Sequence, residues 1–369
     1  AQVASPFQRG LTVQMNTFNQ DDKKWVKEGF YPLYDLKPER TNSYEVGIST
    51  KWFLSRITFD ATYYRTNTYN QTIRAAMSAS SGYNYTYVQT GNVLNEGVEL
   101  SLGATVGEGK KFTWDTFLTY SWNRNEIIEL VENVKNPQNP SEPLFQRDEL
   151  LKDTYGNAQI ILRPGGTLGD VYARTDFVRD AYGNIDISRD AQTLGEYQKL
   201  GSLLPDANIG WRNDFRAGNL GFGFTLSARL GGIVISGTQA AMDYSGVSKV
   251  TADARDAGGV MTGEGILVPA KGYYQLQADP QNYLSQYYTY SASNLRLREA
   301  YISYRIPRKW LGNVLDIDVS IVGKNLLMIW CKAPFDPETI ASTGNYGQGI
   351  DYFMLPSTRS VGFNIKLKF

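Results

Sequence analysis

The sequence predicts an all-β transmembrane antiparallel barrel, and three observations predict it. Two-faced strands recur along the chain, the polar face of them carries charge, and the connections alternate between short and long. The pattern is plainest at the carboxy terminus. There Val361, Phe363, Ile365, Leu367 and Phe369 take the odd positions, and small or polar residues take the even ones. A single strand of this kind also suits a soluble sandwich, so the class depends on repetition.

Nine segments repeat it, near residues 43–53, 56–65, 94–106, 111–124, 206–216, 219–231, 295–306, 314–327 and 359–369, with a weaker tenth near 8–17. The first puts Glu45 and Lys51 on its polar face, the second Asp60 and the third Glu99. In the fourth, Phe112, Trp114, Leu118, Tyr120 and Trp122 alternate with Thr113, Asp115, Thr119 and Ser121. The fifth carries Arg212 and Asp214. In the sixth, Leu220, Phe222, Phe224, Leu226, Ala228 and Leu230 oppose Gly221, Gly223, Thr225, Ser227 and Arg229. Glu299 and Arg305 mark the polar face of the seventh, and Asp316 and Asp318 that of the eighth. Tilted strands of this length span about 25–35 Å, enough to cross a hydrocarbon core. A slip of one residue would turn these charges toward lipid, at roughly 2–4 kcal/mol for a basic group near the midplane.

The connections agree with a barrel. Phe53-Leu-Ser55, Gly107-Glu-Gly-Lys110, Ala217-Gly218 and Pro307 to Asn313 are tight, whereas 66–93, 125–205, 232–294 and 328–358 are long. Antiparallel strands return to the same side after every second crossing, so short turns gather at one end and long, extracellular loops at the other. Trp52, Trp114, Trp122, Trp211 and Trp310 suit the two interfacial girdles. In a soluble β-protein they would be core aromatics, but charge on the opposite face of so many long strands favours the membrane.

Charge is balanced at 37 basic against 37 acidic residues, which points away from nucleic acid as a partner. The 35 glycines and 25 tyrosines suit a barrel wall, with Gly thinning it and Tyr bridging oily and wet regions. No apolar run is long enough for a helical span. Histidine is absent, which removes the commonest general base and metal ligand, and neither a phosphate loop nor a cysteine cluster is present. The expectation is therefore no enzyme, no cofactor and no metal. Asp316 and Asp318 read as polar wall rather than an acid pair, and the run from Asp180 to Asp186 as a turn rather than a calcium loop. The lone Cys331 reads as a small buried hydrophobe.

Nine or ten strands leave two open edges, which lipid cannot hydrate. Residues 1–369 are therefore expected to be the carboxy-terminal portion of a larger barrel. A complete chain would have to close by pairing 359–369 with its first strand.

A family resemblance rests on motifs at the strand boundaries. Leu36-Lys-Pro-Glu39 with Thr41-Asn-Ser-Tyr-Glu-Val-Gly47 resembles the opening of a barrel strand in SusC/RagA-type TonB-dependent transporters of Bacteroidetes. Gly91-Asn-Val-Leu-Asn-Glu-Gly-Val-Glu99, Asn294-Leu-Arg-Leu-Arg298 with Ser303-Tyr-Arg-Ile-Pro307, Gly323-Lys-Asn-Leu326, Phe335-Asp-Pro-Glu338 and Phe369 follow in the same order. The resemblance implies a 22-stranded outer-membrane barrel with an amino-terminal plug, the plug and first strands lying outside this chain. It further implies import of oligosaccharides or peptides, energised by TonB through that amino-terminal region and capped by a SusD-like lipoprotein lid. The alternative is a passive porin or a structural barrel, which needs no plug. Tyr273, Tyr274, Tyr283, Tyr287, Tyr288 and Tyr290, interleaved with amides, are the candidate substrate contacts, since aromatic faces stack on sugars or cradle peptide backbone. The same residues would equally fold a loop upon itself. Arg163, Asp170, Arg174 and Asp176, in loop 132–205, are candidates for meeting the lid.

Overall fold

The computed structural model describes residues 17–19, 24–26, 30–31, 37–76, 85–89, 91–107, 111–130, 149–262, 265–312, 314–341 and 349–368. Nine long strands form one antiparallel sheet: β1 (Arg40–Trp52), β2 (Ile57–Tyr69), β3 (Asn92–Val106), β4 (Phe112–Glu129), β5 (Ala207–Ala217), β6 (Leu220–Leu230), β7 (Asn294–Ile306), β8 (Asp316–Cys331) and β9 (Ser360–Lys368). Each pairs with its neighbours in sequence, so the sheet is an up-and-down meander. Every one of the nine expected segments is one of these strands. The tenth lies outside the described residues except for Thr17, which opens a separate hairpin of Thr17–Asn19 with Lys24–Val26, and Phe369 lies outside them too.

Register makes the two faces explicit. Ile48, Ala61, Leu100, Tyr120, Ile209 and Ala228 are successive partners across six strands, and in the adjacent row so are Ser49, Asp60, Ser101, Thr119, Gly210 and Ser227. Among the described residues nothing covers the apolar face: Val46 is 74% exposed, Ile321 61% and Phe363 79%. Against water such a face would be costly, whereas hydrocarbon solvates it. A bulge on β7 keeps the faces consistent. Leu226 pairs with Leu297 but Thr225 with Glu299, so Arg298 is the extra residue and the polar positions change from even to odd.

The short links close one end of the sheet. In the first, Phe53, Leu54 and Ser55 all take positive φ, at 52°, 57° and 67°. The other end is built up into a layer of its own. A four-stranded antiparallel sheet of Leu150–Tyr155, Ala158–Leu162, Asp170–Asp176 and Gln192–Ser202 packs there with α1 (Gly237–Tyr244), α2 (Lys249–Asp256) and α3 (Ala270–Gln277). Ile233–Ser236 pairs with Thr289–Ser291 on one side and with Ile350–Asp351 on the other, joining two long connections. The largest buried cluster, including Val93, Ile127, Leu130, Leu150, Ile160, Leu162, Val171 and Ile235, lies in this layer. The core of the molecule is thus above the wall, which explains why β4 runs on to Glu129 rather than stopping near 124.

Candidate functional site

Two sequence motifs meet where the polar face enters the loop layer. Arg296, 4% exposed, forks onto Asp336, with Nη1 3.0 Å from Oδ2 and Nη2 on Oδ1. Arg298 places Nη2 between the two carboxylate oxygens of Glu338 and donates through Nε to Ser227 at 2.7 Å. Asp336 also accepts from the Ser357 hydroxyl and from the Glu338 N–H. Asn325, at a φ of 50°, donates its amide to the carbonyl of Thr358. Both stems of the connection between β8 and β9 are therefore fastened to the tops of β7 and β8. Burial pushes the Asp336 carboxyl up, but Arg296, Ser357 and the Glu338 N–H outweigh it and hold the group below its ordinary value. A cavity of about 320 Å³ opens beside this clasp, bounded by Arg296, Asn325, Met328, Phe335, Asp336 and Arg359.

Below the clasp the polar face is laced from strand to strand. Ser101 donates to Asp60 at 3.2 Å, Thr105 to Asp115 at 2.6 Å and Arg305 to Asp318 at 2.8 Å. Asp318, read as polar wall, is held by an arginine on the neighbouring strand. A groove of about 490 Å³ runs along this face past Asp60, Thr62, Glu99, Ser101, Thr119 and Ser121.

The six candidate tyrosines sit in the loop layer and differ in what they offer. Tyr274 and Tyr288 are buried, at 8% and 1% exposure, and most of each ring is taken up by packing, although Tyr274 also borders a cavity with Asp243, Arg255 and Gln275. Tyr273 stacks on Phe177 at 5.2 Å, Tyr283 lies between two buried clusters, and Tyr290 meets Phe335 edge-on at 5.4 Å. These three and Tyr287 keep part of their surface open. Tyr287 donates to Asp176 at 2.9 Å and Tyr288 to Asp243 at 3.2 Å. Burial pushes the phenol of Tyr283 up to about 12, aided by Tyr352 and Asp351. It raises Tyr287 and Tyr288 as well, with Asp176 and Asp243 acting in the same direction.

Arg163, Asp170, Arg174 and Asp176 are all engaged within their own loop layer, and none of the four is exposed. Asp170 is fully buried between Lys199 and Thr167, and Arg163 pairs with Glu149 while lying over Tyr172 and Tyr197. Arg174 lies over Tyr197 and donates to the carbonyl of Leu194, and Asp176 receives Tyr287. The turn after Asp180 is closed by that carboxylate accepting from the N–H groups of Tyr182 and Asn184 and from the Asn184 amide. These donors hold its carboxyl below the ordinary range.

An amide ladder escaped the sequence reading. Asn67 donates to Asn92 and Asn125 to Asn95, each at 2.9 Å, and Asn125 accepts the Leu168 N–H at 2.8 Å. Asparagines at strand tops, where apolar alternation fades, were the available signal.

Comparison with known proteins agrees with this geometry. Residues 12–326 match the family model described as TonB dependent receptor-like, beta-barrel. TonB-dependent receptor P3 of Formosa agariphila is 24% identical, with 91% of this chain and 34% of that protein aligned. TonB-dependent receptor P26 of the same organism is 26% identical, over all of this chain and 38% of that protein. The chain thus spans little more than a third of the curated relatives it matches. Among solved structures, the RagAB peptide importer in its closed-closed state superposes with a TM-score of 0.62 at 17% identity, over 90% of this chain and 36% of that one. Its open-open state gives 0.62 at 18% identity, over 92% and 36%.

Proposed function

The chain belongs to the TonB dependent receptor-like β-barrel family and lies in the outer membrane, and from that premise we propose that it forms part of the wall and outer loop layer of an active importer. The cargo is an oligosaccharide or a peptide, carried along the polar face with energy from TonB. Coupling to TonB runs through an amino-terminal region outside these residues, and a SusD-like surface lipoprotein caps the long-loop end. The observation that carries this reading is the nine-stranded sheet itself, apolar and uncovered on one face, charged and hydrogen-bonded on the other. The open edges of Tyr273, Tyr283, Tyr287 and Tyr290 are the proposed ligand contacts, while Tyr274 and Tyr288 hold the layer that presents them. No covalent chemistry is involved.

The test is gentle extraction of the full-length protein from outer membranes, followed by mass spectrometry of everything that copurifies and by uptake assays with and without TonB. A lipoprotein partner, a bound sugar or peptide and TonB-dependent uptake are expected. A lidless barrel that passes solutes without TonB would replace this reading with that of a passive porin.

A further inference from the structure

Two glycines of the polar face carry the same arrangement. Tyr64, Gly97 and Asn123 are register partners on β2, β3 and β4, and the Tyr64 hydroxyl crosses Gly97 to donate to Asn123 Oδ1 at 3.0 Å. Tyr301, Gly223 and Asp214 repeat it on β7, β6 and β5, the hydroxyl lying 2.7 Å from Asp214 Oδ1. In both cases a tyrosine spans three strands by lying over a glycine, which has no side chain.

The space above each glycine is filled by that ring. A Cβ built on Gly97 would stand 2.5 Å from Tyr64 Oη and 2.6 Å from its Cζ. On Gly223 it would strike Tyr301 at Cε1 and sit 2.7 Å from Cζ. Neither glycine has a positive φ, so backbone conformation does not require glycine at either place. Glycine inside a strand costs about 0.5–1 kcal/mol against alanine, and an aromatic ring covering the bare backbone offsets it. The two copies stand toward opposite ends of the wall. Asp214 and Gly223 are three residues from the Ala217 to Leu220 link, whereas Asn123 adjoins Trp122, the partner of Ala207 at the long-loop end of β5.

We propose that Gly97 and Gly223 are seats that lay Tyr64 and Tyr301 flat along the wall, so that each end of the lumen owes its clear width to a glycine. The word lumen rests on the proposed function, while the seat itself rests only on register, hydrogen bonds and steric space. A tyrosine without its seat has to stand off the wall, into the path of anything passing along the polar face.

Gly223 gives the cleaner experiment, because a Cβ on Gly97 would also meet the backbone oxygen of Trp122 at 2.5 Å. In purified full-length protein, the unfolding temperature would be measured for wild type, Gly223→Ala, Tyr301→Ser and the double variant. Nitration of Tyr301 by tetranitromethane would be followed by peptide mass spectrometry in wild type and Gly223→Ala. Gly223→Ala should lower the unfolding temperature only when Tyr301 is present, and should raise the nitration of Tyr301 several-fold. If Gly223→Ala alone does not fold, recovery of folding in the double variant is the same result. An equal loss in both backgrounds, no loss at all, unchanged nitration, or a double variant that also fails to fold would overturn the proposal. A wild type that imports nothing would sink the proposed function and leave these readouts in force.

Discussion

Arg298 holds Glu338 through one nitrogen, with Nη2 2.7 Å from Oε1 and 2.6 Å from Oε2. Its neighbour Arg296 instead uses a two-pronged fork on Asp336 and is far more buried, with side chains 5% and 15% exposed against 36% and 26%. Removing one partner of a buried pair strands the other charge, at about 3–5 kcal/mol, whereas a part-exposed pair is worth about 1 kcal/mol or less. Arg296→Ala should therefore lower the unfolding temperature of the barrel several times more than Arg298→Ala. Equal losses would show that the two pairs are equivalent.

Acid should release the same clasp late. The Asp336 carboxyl is held below its ordinary value when folded, so its contribution is fully present above the unfolded pKa, about 3.9, and is lost as pH falls through the lower folded value. Amide protection factors in residues 336–341, which remove the intrinsic pH dependence of exchange, should stay high down to about pH 4 and fall below it. In Asp336→Asn the exchange should be faster at neutral pH, with this acid step removed.

The sheet has one face for lipid. Leu100 and Ser101 are consecutive on β3, in adjacent apolar and polar rows. Leu100→Arg should cost about 2–4 kcal/mol in denaturant titrations of the protein in lipid vesicles, and Ser101→Arg, placed beside Asp60, far less. Similar costs at both positions would contradict the assignment of faces.

The link between β1 and β2 stores strain. Leu54 takes a φ of 57° with its side chain 99% exposed, so glycine there would lose no packing. A left-handed non-glycine residue costs about 1–2 kcal/mol, and the added freedom of glycine in the unfolded chain returns part of that. Leu54→Gly should be stabilising by about 0.5–1 kcal/mol, read as a shift in the denaturant midpoint.

Tyr288 is a structural residue with two separable roles. Tyr288→Phe should cost about 1 kcal/mol for the bond to Asp243, and Tyr288→Ala about 3–5 kcal/mol for the buried ring as well. Loss of ligand binding in the phenylalanine variant without loss of stability would instead assign the hydroxyl a direct role.

The wall was legible in the sequence because each strand separates two media, and a period of two is the direct imprint of that separation. Leu220 to Leu230 shows it residue by residue. The loop layer was hidden for the opposite reason. Ala158–Leu162 is packed nearly throughout, so it has no alternation to read, and Ser236 caps α1 through a bond to the Gln239 N–H that resembles ordinary loop composition. The clasp was half legible: the motifs around Arg296 and Asp336 stood out singly, but their meeting depends on a connection folding back across 40 residues. The tyrosines of 273–290 were visible as a cluster, yet only burial separates Tyr274 and Tyr288, which support the layer, from the four that keep open surface.

The meander has one arithmetical consequence. Nine strands are an odd number, so β1 and β9 point the same way. Set side by side they would make a parallel pair, and joining 359–369 to β1 would break the antiparallel rule that every other seam obeys. The same holds for a ring of two copies related by rotation about the barrel axis, where each seam would again set like direction against like. Antiparallel closure therefore interposes an odd number of further strands between β9 and β1. The barrel of twenty-two strands that the family resemblance implies would leave thirteen, which satisfies the parity.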